Sequence, residues 1–219
     1  MTEDAGSMVS QNVSALHSSQ AEAKVHFRLA VFASGAGSNA AKIIDHFRDH
    51  KTTRVAMVVS NKPGAGVIGI ANANKVPVLL IDKEPFFRGN AYTDELKAFG
   101  IDFIVLAGFL WKVPAALIAA YPRKIINIHP ALLPLYGGKG MYGEHVHTSV
   151  LAAGDKESGI TIHYVDEHYD SGDIIFQARC KVEHTDTPGT LANKIHALEH
   201  LHYPVVIDKV VTQTFQLSH

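Results

Sequence analysis

The sequence predicts an α/β fold, a mainly parallel twisted sheet with helices on both faces. Three observations carry this. Short runs rich in Val, Ile and Phe alternate with helix-compatible segments between Phe27 and Tyr121, the order that parallel strands with crossover helices require. A glycine-rich loop, Gly35-Ala36-Gly37-Ser38-Asn39, joins the first run to the first helical segment. A later run, Ile125-Ile126-Asn127-Ile128-His129, stops at Pro130, which has no N–H to extend a ladder.

In chain order, strands are expected at 27–33, 54–60, 76–81, 102–107 and 125–129, then at 159–165 and 173–182. Helices are expected at 40–47, 68–74, 91–99, 114–121 and 145–153. A closing helix follows Asp186-Thr187-Pro188, where Asp or Thr caps and Pro fits the first turn. Residues 1–25, dominated by Ser, Gln, Ala and Glu, show no apolar stripe and read as a loosely docked leader. Residues 26–219 read as a single domain.

Composition narrows the function. With 219 residues, 47% hydrophobic and 19% charged, the chain can bury a substantial core. A net charge of −1 argues against a broad nucleic-acid footprint, which needs basic excess. The single cysteine, Cys180, cannot form an internal disulfide and reads as a small buried apolar residue. No apolar run approaches the ~18 residues of a membrane span, and no signal peptide is visible. A cytoplasmic protein is expected.

In an open parallel sheet, ligands gather at the carboxyl ends of the strands. The glycine loop lies at such an end. Its backbone N–H groups and the side chains of Ser38 and Asn39 suit an anion at a helix N-terminus. The loop lacks the Gly-Lys-Ser/Thr ending of a nucleotide-binding P-loop and the third glycine of a dinucleotide fingerprint, so a single phosphomonoester is the better match. A purely structural turn is the competing reading. Asn127 and His129, two apart on a strand, project to one face, with Ile126 and Ile128 on the other. An amide beside an imidazole suits a carbonyl whose oxygen is stabilised while a proton moves. Read alone, the pair is also consistent with a turn-capping Asn and a His satisfied by a backbone carbonyl. The acidic stretch Asp166-Glu167-His168-Tyr169-Asp170 connects two strands. Its carboxylates either solvate a hairpin or, near an imidazole, raise its pKa and orient it. His196 and His200, four apart, could share a zinc ion from one helix face. However, Ala197 stands where a His-Glu-x-x-His motif needs Glu, and no metal is expected.

Taken together, several motifs resemble the folate-dependent glycinamide ribonucleotide formyltransferases. They are Ser34-Gly35-Ala36-Gly37-Ser38-Asn39, Val59-Ser60-Asn61-Lys62, Val105-Leu106-Ala107-Gly108-Phe109, Asn127 to Pro134, Gly159 to Tyr164, Asp170-Ser171-Gly172, and Glu199-His200 with Tyr203-Pro204. The resemblance implies a Rossmann-like formyltransferase fold with partly antiparallel C-terminal strands. It implies transfer of the formyl group of 10-formyltetrahydrofolate, a co-substrate, to the amino group of glycinamide ribonucleotide in purine biosynthesis, without a metal. Carried over by motif, Asn127, His129 and Asp170 form the catalytic trio, with His129 protonated and supported by Asp170. Gly37, Ser38, Asn39, Glu199 and His196 would bind the ribonucleotide. Phe109, Leu110, Trp111, Lys112, Val113 and Asp166 would bind folate, with Arg88 near its glutamyl tail. Trp111-Lys112 departs from the Arg common in bacterial relatives, and His196 stands where Gln is common. The partners expected are these two small molecules, with neither nucleic acid nor membrane; a homodimer is left open.

Overall fold

A computed structural model describes residues 27–88 and 90–217; the expected leader lies outside the described residues. Seven strands form one sheet: β1 (Phe27–Phe32), β2 (Thr53–Ser60), β3 (Val78–Leu80), β4 (Phe103–Leu106), β5 (Ile125–His129), β6 (Glu157–Tyr164) and β7 (Ile174–Lys181). Their spatial order is β3-β2-β1-β4-β5-β6-β7. Strands β1 to β5 pair in parallel, while β6 runs antiparallel to both β5 and β7. The mainly parallel sheet with antiparallel C-terminal strands matches the fold class read from the sequence.

The chain leaves β1 towards β3 and then returns to place β4 on the opposite side of β1. Such a switch leaves a crevice outside the carboxyl ends of the two central strands. The glycine loop after β1 and the segment after β4 border it. Ser34 clips the two together: its buried Oγ accepts the Leu110 N–H at 2.9 Å.

Alternation along β1 shows why the sheet is covered twice. Leu29 and Val31 join one core cluster, Ala30 and Phe32 the other, because successive side chains point to opposite faces. The first cluster packs under α1 (Ser38–His46), α2 (Gly66–Ala73), α6 (Glu144–Ala153) and α7 (Pro188–Leu217). The second contains Phe86 of α3 (Lys83–Arg88), Leu96 of α4 (Ala91–Ala98) and Leu117 of α5 (Ala115–Ala120).

Two elements depart most from the sequence expectation, the third strand and a short helix after it. The third strand is shorter, Val78–Leu80 rather than 76–81. A short helix, α3, was not anticipated; Pro85 sits in its first turn, where a missing N–H costs nothing. The closing helix runs 30 residues, straight through Pro204. Proline inside a helix removes a backbone hydrogen bond, and tertiary contacts offset this. The adjacent Tyr203 is fully buried, and its hydroxyl donates to the Leu106 carbonyl at 2.8 Å. That bond seats α7 on the central strands one turn beyond Glu199.

Candidate active site

A cavity of about 780 Å³ opens at the switch point. Its walls are the glycine loop, the segment Leu106 to Val113, the tip of β5, the loop from Gly138 to Gly143, the turn containing Asp166 and Asp170, and the α7 residues His196 and Glu199. Every site residue expected from the sequence lines it except Arg88. Arg88 is exposed and pairs with Glu84 at 2.9 Å on the outer face of α3.

At one end, four polar side chains meet. Antiparallel pairing sets Asn127 opposite His163 and His129 opposite Thr161. His129 is only 3% exposed. Its Nε2–H donates to the Tyr136 carbonyl at 2.7 Å, which leaves Nδ1 facing Asp170 Oδ2 at 3.6 Å. His163 is oriented in the opposite sense. Its Nδ1–H donates to the Tyr164 carbonyl at 2.7 Å, so Nε2 accepts from the Asn127 amide at 3.2 Å and lies 3.7 Å from Asp170 Oδ1. This contact decides which way the Asn127 amide points: one N–H is held by His163 and the other is free for the cavity. Asp170 thus lies between two imidazoles and also accepts the Gly138 N–H at 2.9 Å.

The electrostatics separate the two members of the central pair. Burial pushes the Asp170 carboxyl up, but His163, His129 and the Gly138 N–H outweigh it, and its pKa lies below the usual carboxylate value. Asp170 is therefore ionised at neutral pH. For His129, burial lowers the pKa more than Asp170 and the Tyr136 carbonyl raise it, with His163 lowering it further. Burial thus opposes the support that Asp170 gives to a protonated His129.

The backbone around this group is strained. Tyr136 and Asp170 both have left-handed φ, 55° and 52°, a conformation that costs a non-glycine residue about 1–3 kcal/mol and clusters at functional sites. Around them, Tyr136 is tied by its hydroxyl to Asp155 at 2.6 Å. A Cβ at Gly172 would overlap the Tyr164 carbonyl, so glycine is required for the 166–172 turn to fold back onto β6. Thr161 holds the Pro130 to Pro134 turn: its hydroxyl donates to the Ala131 carbonyl at 2.7 Å and accepts the Leu133 N–H at 2.9 Å.

At the other end, Gly37 precedes α1 with φ 83°, and a Cβ there would come within 2.7 Å of Val67 Cβ. Helix α1 has no side-chain cap, so its first N–H groups remain available to a ligand. Asn39 donates to Glu199 Oε2 at 2.8 Å. Glu199 is nearly closed to solvent, and burial raises its pKa against the opposing influence of Asn39 and His196. His196 and His200 stack with ring centroids 6.3 Å apart. Along the third wall, Trp111 packs on Phe86, Phe87 and Phe109, and Lys112 Nζ sits 5.6 Å over the Tyr169 ring. No group of three or more His, Cys, Asp or Glu among the described residues is arranged to hold a metal ion.

The sequence reading did not single out His163, or the Gly138 and Tyr136 backbone. One signal was legible. Thr161 and His163 alternate with Ile160 and Ile162, the same polar period as Asn127 and His129, and pairing sets all four polar side chains on one face of the sheet.

The profile of the formyl transferase family matches residues 27–207. Against a chloroplastic phosphoribosylglycinamide formyltransferase from Arabidopsis thaliana, the chain is 42% identical over 189 residues, covering 84% of this chain and 65% of that protein. Against the phosphoribosylglycinamide formyltransferase of Bacillus subtilis it is 36% identical, covering 84% and 94%. The crystal structure of phosphoribosylglycinamide formyltransferase from Bacillus halodurans superposes with a TM-score of 0.77 at 37% identity, covering 85% of this chain and 96% of that one. The chain belongs to the formyl transferase family. It spans just under two thirds of the Arabidopsis relative and 14% of a trifunctional purine biosynthetic protein from Drosophila melanogaster.

Proposed function

We propose that this protein transfers the formyl group of 10-formyltetrahydrofolate to the amino group of glycinamide ribonucleotide, in purine biosynthesis. The observation that carries the reading is the joining, in one cavity, of the Asn127–His163–Asp170–His129 cluster with an uncapped helix N-terminus at Gly37. Family membership and the names of the relatives support the reaction class. No helix among the described residues is long and apolar enough to cross a membrane.

In this reading the ribonucleotide phosphate sits at the α1 N-terminus, held by Gly37 to Asn39, and Glu199 takes the ribose hydroxyls. The folate lies against Phe109 to Val113 and Asp166. The substrate amine attacks the formyl carbon, and its carbonyl π pair moves to oxygen. The free Asn127 N–H donates to that oxyanion. An amine proton taken by Asp170 is shared with His129 Nδ1, 3.6 Å away, so the imidazole carries positive charge beside the oxyanion while the intermediate lasts. Asp170, ionised and acceptor-only, receives the amine proton directly or through water and returns it to the folate nitrogen as the C–N bond breaks.

The test is an assay with 10-formyltetrahydrofolate, with and without glycinamide ribonucleotide. Formylated ribonucleotide and deformylated folate should appear in equal amounts. Folate turnover independent of the amine would replace transfer by hydrolysis, and binding without turnover would reduce the chain to a ligand-binding module.

A further inference from the structure

One short segment sets the direction of both His129 and Asp170, and its anchor lies outside the cavity. The Tyr136 carbonyl accepts His129 Nε2–H at 2.7 Å, and two residues on, the Gly138 N–H donates to Asp170 Oδ2 at 2.9 Å. Gly137 lies against the same groups: a Cβ there would come within 2.6 Å of Leu133 Cδ2 and 3.3 Å of Asp170 Cβ. Residues 136–138 thus register the imidazole and the carboxylate to each other.

This segment needs holding. Tyr136 has φ 55°, a conformation that a non-glycine residue keeps only where its surroundings enforce it. The turn before it is fixed from the sheet: Gln177 Nε2 of β7 donates to the Leu133 carbonyl at 3.0 Å and to the Thr161 hydroxyl at 2.9 Å. Beyond that turn Leu135 is exposed. Tyr136 is reached instead through its own phenol, which donates to Asp155 Oδ2 at 2.6 Å while the ring packs on the first core cluster. Asp155 stands at a junction of two regular elements, directly after Gly154, the left-handed C-cap of α6, and two residues before β6. Neither Tyr136 nor Asp155 lines the cavity.

The anchor bears on a proton. A neutral imidazole carries its hydrogen on one nitrogen, chosen by the partners the two nitrogens meet. His129 has two acceptors, the Tyr136 carbonyl at Nε2 and the Asp170 carboxylate 3.6 Å from Nδ1. A carboxylate is the stronger acceptor, so a carbonyl held at close range is needed to keep the hydrogen on Nε2. With it there, Nδ1 keeps its lone pair for the proton it shares with Asp170 during transfer. We propose that Asp155 is a positioning residue for formyl transfer, acting through the Tyr136 phenol to hold residues 136–138 and so the Nε2–H form of His129. The inference rests on the reaction assigned above.

Tyr136→Phe removes the hydroxyl and keeps the ring packing; Asp155→Ala removes its acceptor. Each should lower kcat about tenfold, the scale of one hydrogen bond to a charged group, with both KM values little changed. The double variant should lose no more than either single one, because both break one link. Asp155→Asn, whose amide oxygen still accepts, should lose less than Asp155→Ala. Nitrogen NMR of ring-labelled histidine, recorded above the imidazole titration, reads the anchor without catalysis. The His129 hydrogen should sit on Nε2 in wild type and pass in part to Nδ1 in Tyr136→Phe and Asp155→Ala, a shift that a merely loosened fold would not direct to one nitrogen. An unchanged tautomer in both variants overturns the anchor, as do losses that multiply in the double variant or that fall on KM alone. If wild type forms no formylated ribonucleotide, the reaction assignment falls, and the tautomer shift alone then upholds or overturns the anchor.

Discussion

The two ends of the cavity are built differently. At the β5–β6 end every side chain of the cluster is already held by a partner: Tyr136 and Tyr164 hold the imidazoles, His163 holds one Asn127 N–H and leaves the other for the cavity, and Gly138 holds Asp170. At the α1–α7 end, partners are missing. His147 Nδ1, His200 Nε2 and Asn39 Oδ1 are buried without hydrogen bonds, and two helix starts lack side-chain caps. The first end is organised before substrate arrives, as stabilisation of a transient charge demands. The second is left incomplete, as recognition of a polar ligand permits.

The contrast can be broken most sharply at the organised end. Asp170→Asn and His129→Ala should each cut kcat by about 10²–10³ or more, the scale of losing an oxyanion donor, with the melting temperature of the purified variants close to wild type. Near-wild-type turnover in either would remove the trio from the chemistry.

His163→Ala is the next largest. His163 contacts Asn127 and Asp170 and is placed behind them, so it is a positioning residue. Turnover should fall about tenfold, the cost of one hydrogen bond to a charged or reacting group, with both KM values little changed. Asp170 would also lose the influence of the His163 partner that lowers its pKa. The acidic limb of the pH–rate profile should therefore move to higher pH, a change that a purely structural defect would not produce.

Gly37→Ala tests the other end. A methyl group there is strained by the positive φ and crowded against Val67. Overpacking of this kind costs about 1–3 kcal/mol, read in urea melts. KM for the ribonucleotide should rise more than kcat falls; the reverse pattern would mean the loop serves the chemistry and not the phosphate.

The smallest effect concerns stability against pH. His129 and His147 both have folded pKa values below the ordinary imidazole value, with burial the largest cause. Between the folded value and about pH 6.5 the unfolded chain binds more protons than the folded one. Stability is thus fully present above about pH 6.5 and declines as pH falls through the folded values. Urea midpoints at pH 7.5 and 5.5 should differ in that direction, and the difference should shrink in His147→Gln.

Much of the fold was legible because it rests on local chemistry. The alternation of Leu29 and Val31 with Ala30 and Phe32, the stop at Pro130 and the glycine turn at Gly37 are each written in a few consecutive residues. Helix α3 and the passage of α7 through Pro204 were not legible. Helix α3 is only six residues long and is anchored by buried Phe86, while Pro204 opposes the helix locally and buried Tyr203 offsets it.

The same division runs through the site. From residues alone, Asn127 and His129 are marked as one polar strand face, and the 34–39 loop as an anion cradle. The resemblance of motifs brings Asp170 to them. What only tertiary structure decides is the protonation of that group. The His129 charge depends on burial outweighing Asp170, and the Asn127 amide direction on a histidine 36 residues away. Both are set by desolvation and by contacts between distant strands, quantities that sequence spacing does not carry.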